Sequence, residues 1–114
     1  MEKFIRKEQK AEPAVTIRKY GAISINNLAV KLFPLKECKL VTLHFDKKEK
    51  LIGIKPCNNP KEDSVFKVTR ERGSTPAISC QAFLTSFGIQ HTEASKVYPA
   101  TWDEKAGMMM VKVE

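Results

Sequence analysis

Six short stretches of the chain have strand-like sequences, and in several of them apolar and polar residues alternate, which is the pattern of half-buried β-strands. These stretches are residues 15–19, 39–45, 51–55, 66–70, 97–102 and 108–113. Two polar segments, 46–50 and 103–107, separate neighbouring stretches and have the length of hairpin loops. Pro99 has no amide hydrogen to donate, so its strand is expected at a sheet edge or at a bulge.

Two other segments place apolar residues at i, i+3, i+4 and i+7, the spacing of one helix face. The sets are Ile25, Leu28, Ala29 and Leu32, then Cys80, Phe83, Leu84 and Phe87. Ser24 and Ser79 precede these sets, and a serine hydroxyl suits the N-cap. Gly88 can end the second helix in the left-handed conformation. The sequence therefore predicts two short helices whose apolar sets all face the core.

The same succession of elements occurs in both halves of the chain. Residues 15–19 correspond to 66–70, and residues 23–25 correspond to 78–80, although the identity between the halves is low. Each half has about fifty residues, fewer than usually fold alone, so we expect the halves to share one core. The predicted fold is a single α+β domain: a small β-barrel-like sheet built from two pseudo-symmetric β-α-β-β repeats with two short helices.

The expected boundaries follow from composition. Residues 1–114 form one domain, with a polar arm at 1–13, a first repeat at 14–56, a linker at 57–64 and a second repeat at 65–114. A closed core within one chain is compatible with a monomer or a homodimer. The sequence has no apolar run of about 18 residues and no signal-peptide pattern near Met1, so we expect a cytoplasmic protein without a membrane segment.

Part of the first half resembles the AbrB/MraZ-type swapped-hairpin unit, a cradle-loop barrel element. The resemblance lies in residues 17–25 (IRKYGAISI), 41–46 (VTLHFD) and 52–56 (IGIKP), and the second half follows it in outline, as in the tandem two-unit form. Asn26 stands where this family usually has proline, and residues 35–38 replace its Gly-Asp turn. The resemblance implies DNA binding, in transcription regulation or a mobile-element setting, through basic residues near the first strand.

Four basic residues occupy the corresponding positions. Arg18 and Lys19 end the first strand, and Arg70 and Arg72 precede Gly73 in the second half. The net charge is +7, and residues 1–56 carry the whole excess, with 13 Lys or Arg against 6 acidic residues. A one-sided positive surface suits a polyanion. We therefore predict nucleic-acid binding, to duplex DNA, by Arg18, Lys19, Arg70 and Arg72; the alternative is that these side chains are only solvated strand ends.

The sequence gives little support for a disulfide framework, a metal site or a catalytic site. Three cysteines without CxxC spacing fit neither a disulfide framework nor a zinc site, and His44 and His91 lack partners at metal-ligand spacing. We expect no cofactor, no bound metal and no enzymatic activity. The alternative function is a protein-interaction module, antitoxin-like or an adaptor, whose contact surface includes Trp102 and Met109.

Overall fold

The computed structural model describes residues 12–33, 35, 38–59, 61, 64–70, 75–89 and 94–113. The elements are β1 (Ala14–Arg18), β2 (Ala22–Ile25), α1 (Asn27–Leu32), β3 (Leu40–Asp46), β4 (Leu51–Cys57), β5 (Val65–Thr69), β6 (Ala77–Ser79), α2 (Gln81–Ser86), β7 (Lys96–Asp103) and β8 (Met108–Lys112). The strands close into an antiparallel barrel in the order β1-β2-β6-β5-β3-β4-β8-β7. This barrel with two short helices confirms the predicted β-barrel-like α+β class.

The interior of the barrel is filled by the apolar residues that alternate along the strands. The fully buried strand residues include Val15, Ile17, Ile23, Val41, Ile52, Ile54, Ile78, Met109 and Val111. Branched aliphatic side chains predominate because they pack well on a pleated surface. All six predicted strands are present, each within two residues of its expected limits.

Two strands, β2 and β6, replace the predicted starts of the helices. Ser24 lies in β2 and Ser79 in β6, so neither serine is an N-cap. β2 and β6 pair antiparallel, with Ile23 opposite Ile78 and both side chains buried. Each half thus has an additional strand before its helix. The misassignment has a physical cause, because three or four residues are too few to distinguish a period of 2 from one of 3.6.

Helix α1 begins after Asn26, whose Oδ1 accepts a hydrogen bond from the Ala29 amide at 2.9 Å. Ala29 is buried as expected, but the Leu32 side chain is 62% exposed, so its predicted core position is wrong. The helix ends at Leu32, and the Phe33 side chain packs against the core instead.

Helix α2 has Cys80 at its N-cap position, without a side-chain capping bond. Phe83 and Leu84 are buried, as predicted, whereas Phe87 is 37% exposed. Neither helix of the described residues is long and apolar enough to cross a bilayer.

The end of α2 confirms the prediction for Gly88, which has φ +65°. The Gly88 amide donates to Thr85 O at 3.2 Å, and the Ile89 amide donates to Leu84 O at 2.9 Å. These two bonds form the Schellman pattern, which satisfies carbonyls at the helix end.

Two hairpin turns, at 47–50 and 104–107, confirm the predicted loops. Asp46 Oδ1 accepts from the amides two and three residues later, at 3.0 and 3.2 Å, and Asp103 Oδ1 does the same at the same distances. Both turns close through a residue with positive φ, Lys50 at +57° and Gly107 at +65°. Glycine adopts this conformation readily, while lysine does so at an energetic cost.

Strand β7 changes its partner at Pro99. Residues 96–99 pair with β1, and residues 100–103 pair with β8. β7 is therefore a member of the closed barrel rather than an open edge strand. The change of partner accommodates the missing amide hydrogen of Pro99, and the next amide, that of Ala100, donates to Pro13 O at 2.9 Å.

The early and late parts of the chain interleave in the barrel. β1 pairs with β7, and β5 pairs with β3. Aromatic residues that follow the helices pack on the same strands: Phe33 stacks on Trp102 of β7 with ring centroids 5.8 Å apart, and Phe87 packs on Phe45 of β3 at 5.0 Å. Neither part could close the core without the other.

Candidate nucleic-acid interface

A groove of about 470 Å³ crosses the outside of the barrel over β1, β2, β6 and β5. Its lining consists of Arg18, Tyr20, Ala22, Ser24, Thr69, Thr75, Ala77 and Ser79. The alternation of the strands creates this lining, because the isoleucines of β2 and β6 point inward and the alanines and serines between them point outward. The groove floor therefore has small side chains, and hydroxyl groups surround it.

Arg18 is the one cationic side chain among the described residues that line the groove. Its side chain is half-buried, and Nε donates to Ser24 Oγ at 3.2 Å. This bond fixes the orientation of the guanidinium and leaves the Ser24 hydroxyl proton for another acceptor. Among the described residues, the two terminal nitrogens of Arg18 have no hydrogen-bond partner, and no acidic side chain lines the groove. An oxyanion in the groove would meet donors and, among the described lining residues, no carboxylate.

The turn between β1 and β2 places Lys19 and Tyr20 beside Arg18, and both side chains are exposed. The turn closes through the Gly21 amide, which donates to Arg18 O at 3.0 Å. Gly21 has φ +90°, and a Cβ there would lie 2.5 Å from Gln81 Cβ. A side chain at this position would therefore force the turn away from α2. Tyr20 is 70% exposed, so its ring is available for stacking on a base.

Arg70 lies elsewhere and has a different role. Its Nη2 donates to Leu35 O at 2.6 Å, and its Nη1 donates to Cys38 O. The guanidinium thereby holds the connection between α1 and β3 against the end of β5. Arg72 lies outside the described residues. Of the four predicted site residues, the structure brings Arg18 and Lys19 together and engages Arg70 in backbone contacts.

The hydroxyl lining is the part of the site that the sequence argument missed. The triplet Ala-Ile-Ser occurs at residues 22–24 and 77–79, and it supplies four of the groove residues. If these triplets are assigned to strands, Ala and Ser lie on one face of the sheet and Ile lies on the other. The assignment of these triplets to the starts of helices gave no indication that their Ala and Ser side chains line a groove.

The alternative contact surface is only partly accessible. Met109 is fully buried in the core, so it cannot contact a partner, and half-buried Trp102 stacks on Phe33. The outward neighbour Met108 has its Sδ beside Gly53, where a Cβ would lie 2.4 Å from that sulfur. The hairpin methionines therefore serve mainly as packing groups.

Cysteine chemistry is suppressed by burial. Burial raises the pKa of the Cys80 thiol to about 11. Burial also raises the pKa of the Cys38 thiol, although the charge of Arg70 acts in the opposite direction. Both thiols therefore stay protonated at neutral pH. In the described part of the chain, no three His, Cys, Asp or Glu side chains form a group that could hold a metal ion.

No protein-family model, curated protein or solved structure matches the chain. The resemblance to AbrB/MraZ-type proteins therefore remains a prediction.

Proposed function

We propose that this protein binds nucleic acid, specifically duplex DNA in a regulatory or mobile-element setting, through the groove and the β1–β2 turn. The observation that carries the proposal is the groove lining: Arg18 beside small and hydroxyl-bearing residues, with no described acidic side chain. Phosphate oxygens are recognised by arginine, lysine and hydroxyl donors of this kind.

The arrangement of donors suits a phosphate backbone. Arg18 can offer two parallel N–H groups to one phosphate, because its Nε is already held by Ser24. Lys19, in the adjacent turn, would neutralise a neighbouring phosphate. Tyr20 would supply a ring at the groove edge, and small Ala22 and Ala77 would let a phosphate approach the floor closely.

The tandem duplication predicted from the sequence would place the groove on a pseudo-twofold axis. The element order β-β-α-β-β occurs twice, and the pairs β2–β6 and β4–β8 each join equivalent strands under this assignment. Ala22 then lies opposite Ser79, and Ser24 opposite Ala77. Pseudo-twofold symmetry of this kind is compatible with the dyad symmetry of a duplex.

The test is a fluorescence-anisotropy titration of generic duplex DNA at several salt concentrations. Each phosphate contact contributes about −0.9 to the slope of log K against log salt. Replacing Arg18 and Lys19 by Glu is expected to remove most of the affinity. Replacing either residue by Gln should make the slope shallower by about 0.9, and replacing both by about 1.8, if each contacts one phosphate.

The matched control replaces Lys48 and Lys105, which are exposed in the two hairpin turns, by Glu. This exchange alters the net charge equally and is expected to change the affinity little. Equal losses of DNA affinity in the two double variants would show that DNA is attracted by the overall positive charge and not by a specific site. Absence of duplex binding by the unaltered protein at low salt would overturn the proposal.

Arg70 needs a separate comparison because it contacts the backbone of the chain. Arg70→Gln is expected to lower the free energy of unfolding, since two carbonyls lose a charged donor. A DNA-binding defect in this variant is informative only where urea unfolding shows that the protein is folded.

A further inference from the structure

A second cleft, of about 380 Å³, lies where the β3–β4 hairpin meets the end of α2 and the start of β7. It is lined by Phe45, Lys50, Phe87, Gly88, Ile89, Lys96, Tyr98 and Val113. Its volume is within the range of small-molecule sites. None of the predicted DNA contacts lines it, so its chemistry is independent of the groove.

The aromatic wall of this cleft has an exposed ring. Phe87 packs edge-on against Phe83 and tilted against Phe45, with ring centroids 5.3 and 5.0 Å away. These contacts fix the ring, yet 37% of the residue remains exposed. The space beside Gly88 is open, because a Cβ at its position would have no atom within 4 Å. The cleft therefore presents a rigid flat ring to a ligand.

Three lysines lie at or near the cleft. The Lys47 ammonium lies over the Phe87 ring, 5.9 Å from its centroid, and Lys50 and Lys96 line the cleft. A base that stacks on this face of the ring would displace the Lys47 ammonium. No described acidic side chain is among the lining residues. A ligand with negative charge next to a planar apolar group would complement the described lining residues.

The size of the cleft favours a compact ligand. Its volume of about 380 Å³ suits one small molecule, and the aromatic ring and the lysines line this single space. Beside it, residues 96–99 of β7 pair with β1, and β8 pairs with β7 only at residues 100–103.

We propose that this cleft binds a free mononucleotide, with the base stacked on Phe87 and the phosphate held by Lys50 and Lys96. Aromatic stacking accepts any base, while the lysines act as point charges for the phosphate. The result would be a nucleotide site separate from the DNA groove, and it does not depend on duplex binding.

The experiment is a ¹H–¹⁵N NMR titration of the full chain with AMP, adenosine and ribose 5-phosphate. AMP is expected to shift the amides of Lys50 and Gly88 to saturation, and the two fragments to bind at least about 10-fold more weakly, because each lacks one of the two contacts. Equal affinity for ribose 5-phosphate would mean that only charge is recognised, and equal affinity for adenosine would exclude a phosphate contact. Either result would overturn the proposal.

Substitutions of single residues test which side chains contact the base and the phosphate of AMP. Phe87→Leu keeps an apolar side chain but loses the ring, and stacking energies predict about 5- to 150-fold weaker AMP binding. Phe87→Tyr is expected to restore it. Lys96→Gln should weaken AMP binding, whereas Lys105→Gln, which is exposed in the β7–β8 turn and is not among the lining residues, should not.

Three outcomes oppose the proposal: no shift of the cleft amides at about 10 mM AMP, unchanged affinity in Phe87→Leu with a native-like spectrum, or equal loss from the two lysine variants. The double exchange of Arg18 and Lys19 by Glu should leave AMP binding unchanged. This variant separates failure of the DNA groove from failure of the cleft.

Discussion

Two leucines that the sequence pattern treats alike provide a sharp test of how the helices pack. Leu84 in α2 is fully buried, whereas Leu32 at the end of α1 is 62% exposed. Leu84→Ala should therefore lower the free energy of unfolding by about 2 to 5 kcal/mol, through lost burial and a cavity. Leu32→Ala should change it by less than about 0.5 kcal/mol, because little buried surface is removed and alanine is a good helix former.

Urea unfolding monitored by circular dichroism measures both changes, and equal m-values would show that the substitutions leave the unfolding transition comparable. The two variants control for each other, since the same three carbon atoms are removed from a helix in each case. Equal costs for the two substitutions, or a cost below about 1 kcal/mol for Leu84→Ala, would refute the packing described for α2.

Four further substitutions test local features by the same urea assay. Lys50→Gly should stabilise the protein by up to about 1 kcal/mol because Lys50 has positive φ, and Gly107→Ala should destabilise it by about 1 to 2 kcal/mol for the converse reason. Asn26→Ala should cost about 1 kcal/mol through loss of the α1 cap. Burial raises the pKa of the Cys80 thiol from 9.0 to about 11, so between these pH values the folded state retains a proton that the unfolded state loses. The free energy of unfolding should therefore fall between about pH 9 and 11, by at most about 1.4 kcal/mol per pH unit. Cys80→Ala should make that decline shallower, and an unchanged slope would contradict the assignment.

The strands could be predicted because each has enough residues to establish its period. In β3, three inward positions, Val41, Leu43 and Phe45, alternate with polar residues, and Asp46 then starts a turn. A helix of that length could not bury one side and solvate the other with the same spacing. Strands β2 and β6 have four and three residues, so the local pattern was compatible with either structure. Pairing across the barrel, between Ile23 and Ile78, decides the outcome.

The helix faces were only half predictable for a related reason. Six residues make fewer than two turns, and the end of such a helix is set by the point where the chain must return to the barrel. Phe33 makes that return in α1, which leaves Leu32 outside. In α2 the final turn presents Phe87 at the rim of a cleft. Periodicity identifies the buried centre of each helix, Ala29 or Leu84, but it gives no information about the last residue.

The basic residues show most clearly where sequence reasoning ends. Arg18 and Arg70 both lie at the end of a strand, and the sequence offers no reason to distinguish them. The structure orients Arg18 into a groove with its terminal nitrogens available, and it directs Arg70 onto two carbonyls of the α1–β3 connection. Those carbonyls are more than thirty residues earlier in the chain, so only the closed fold brings them within reach. Charge at a strand end therefore indicates a candidate, and the hydrogen bonds of the folded chain decide whether that charge is available to a ligand.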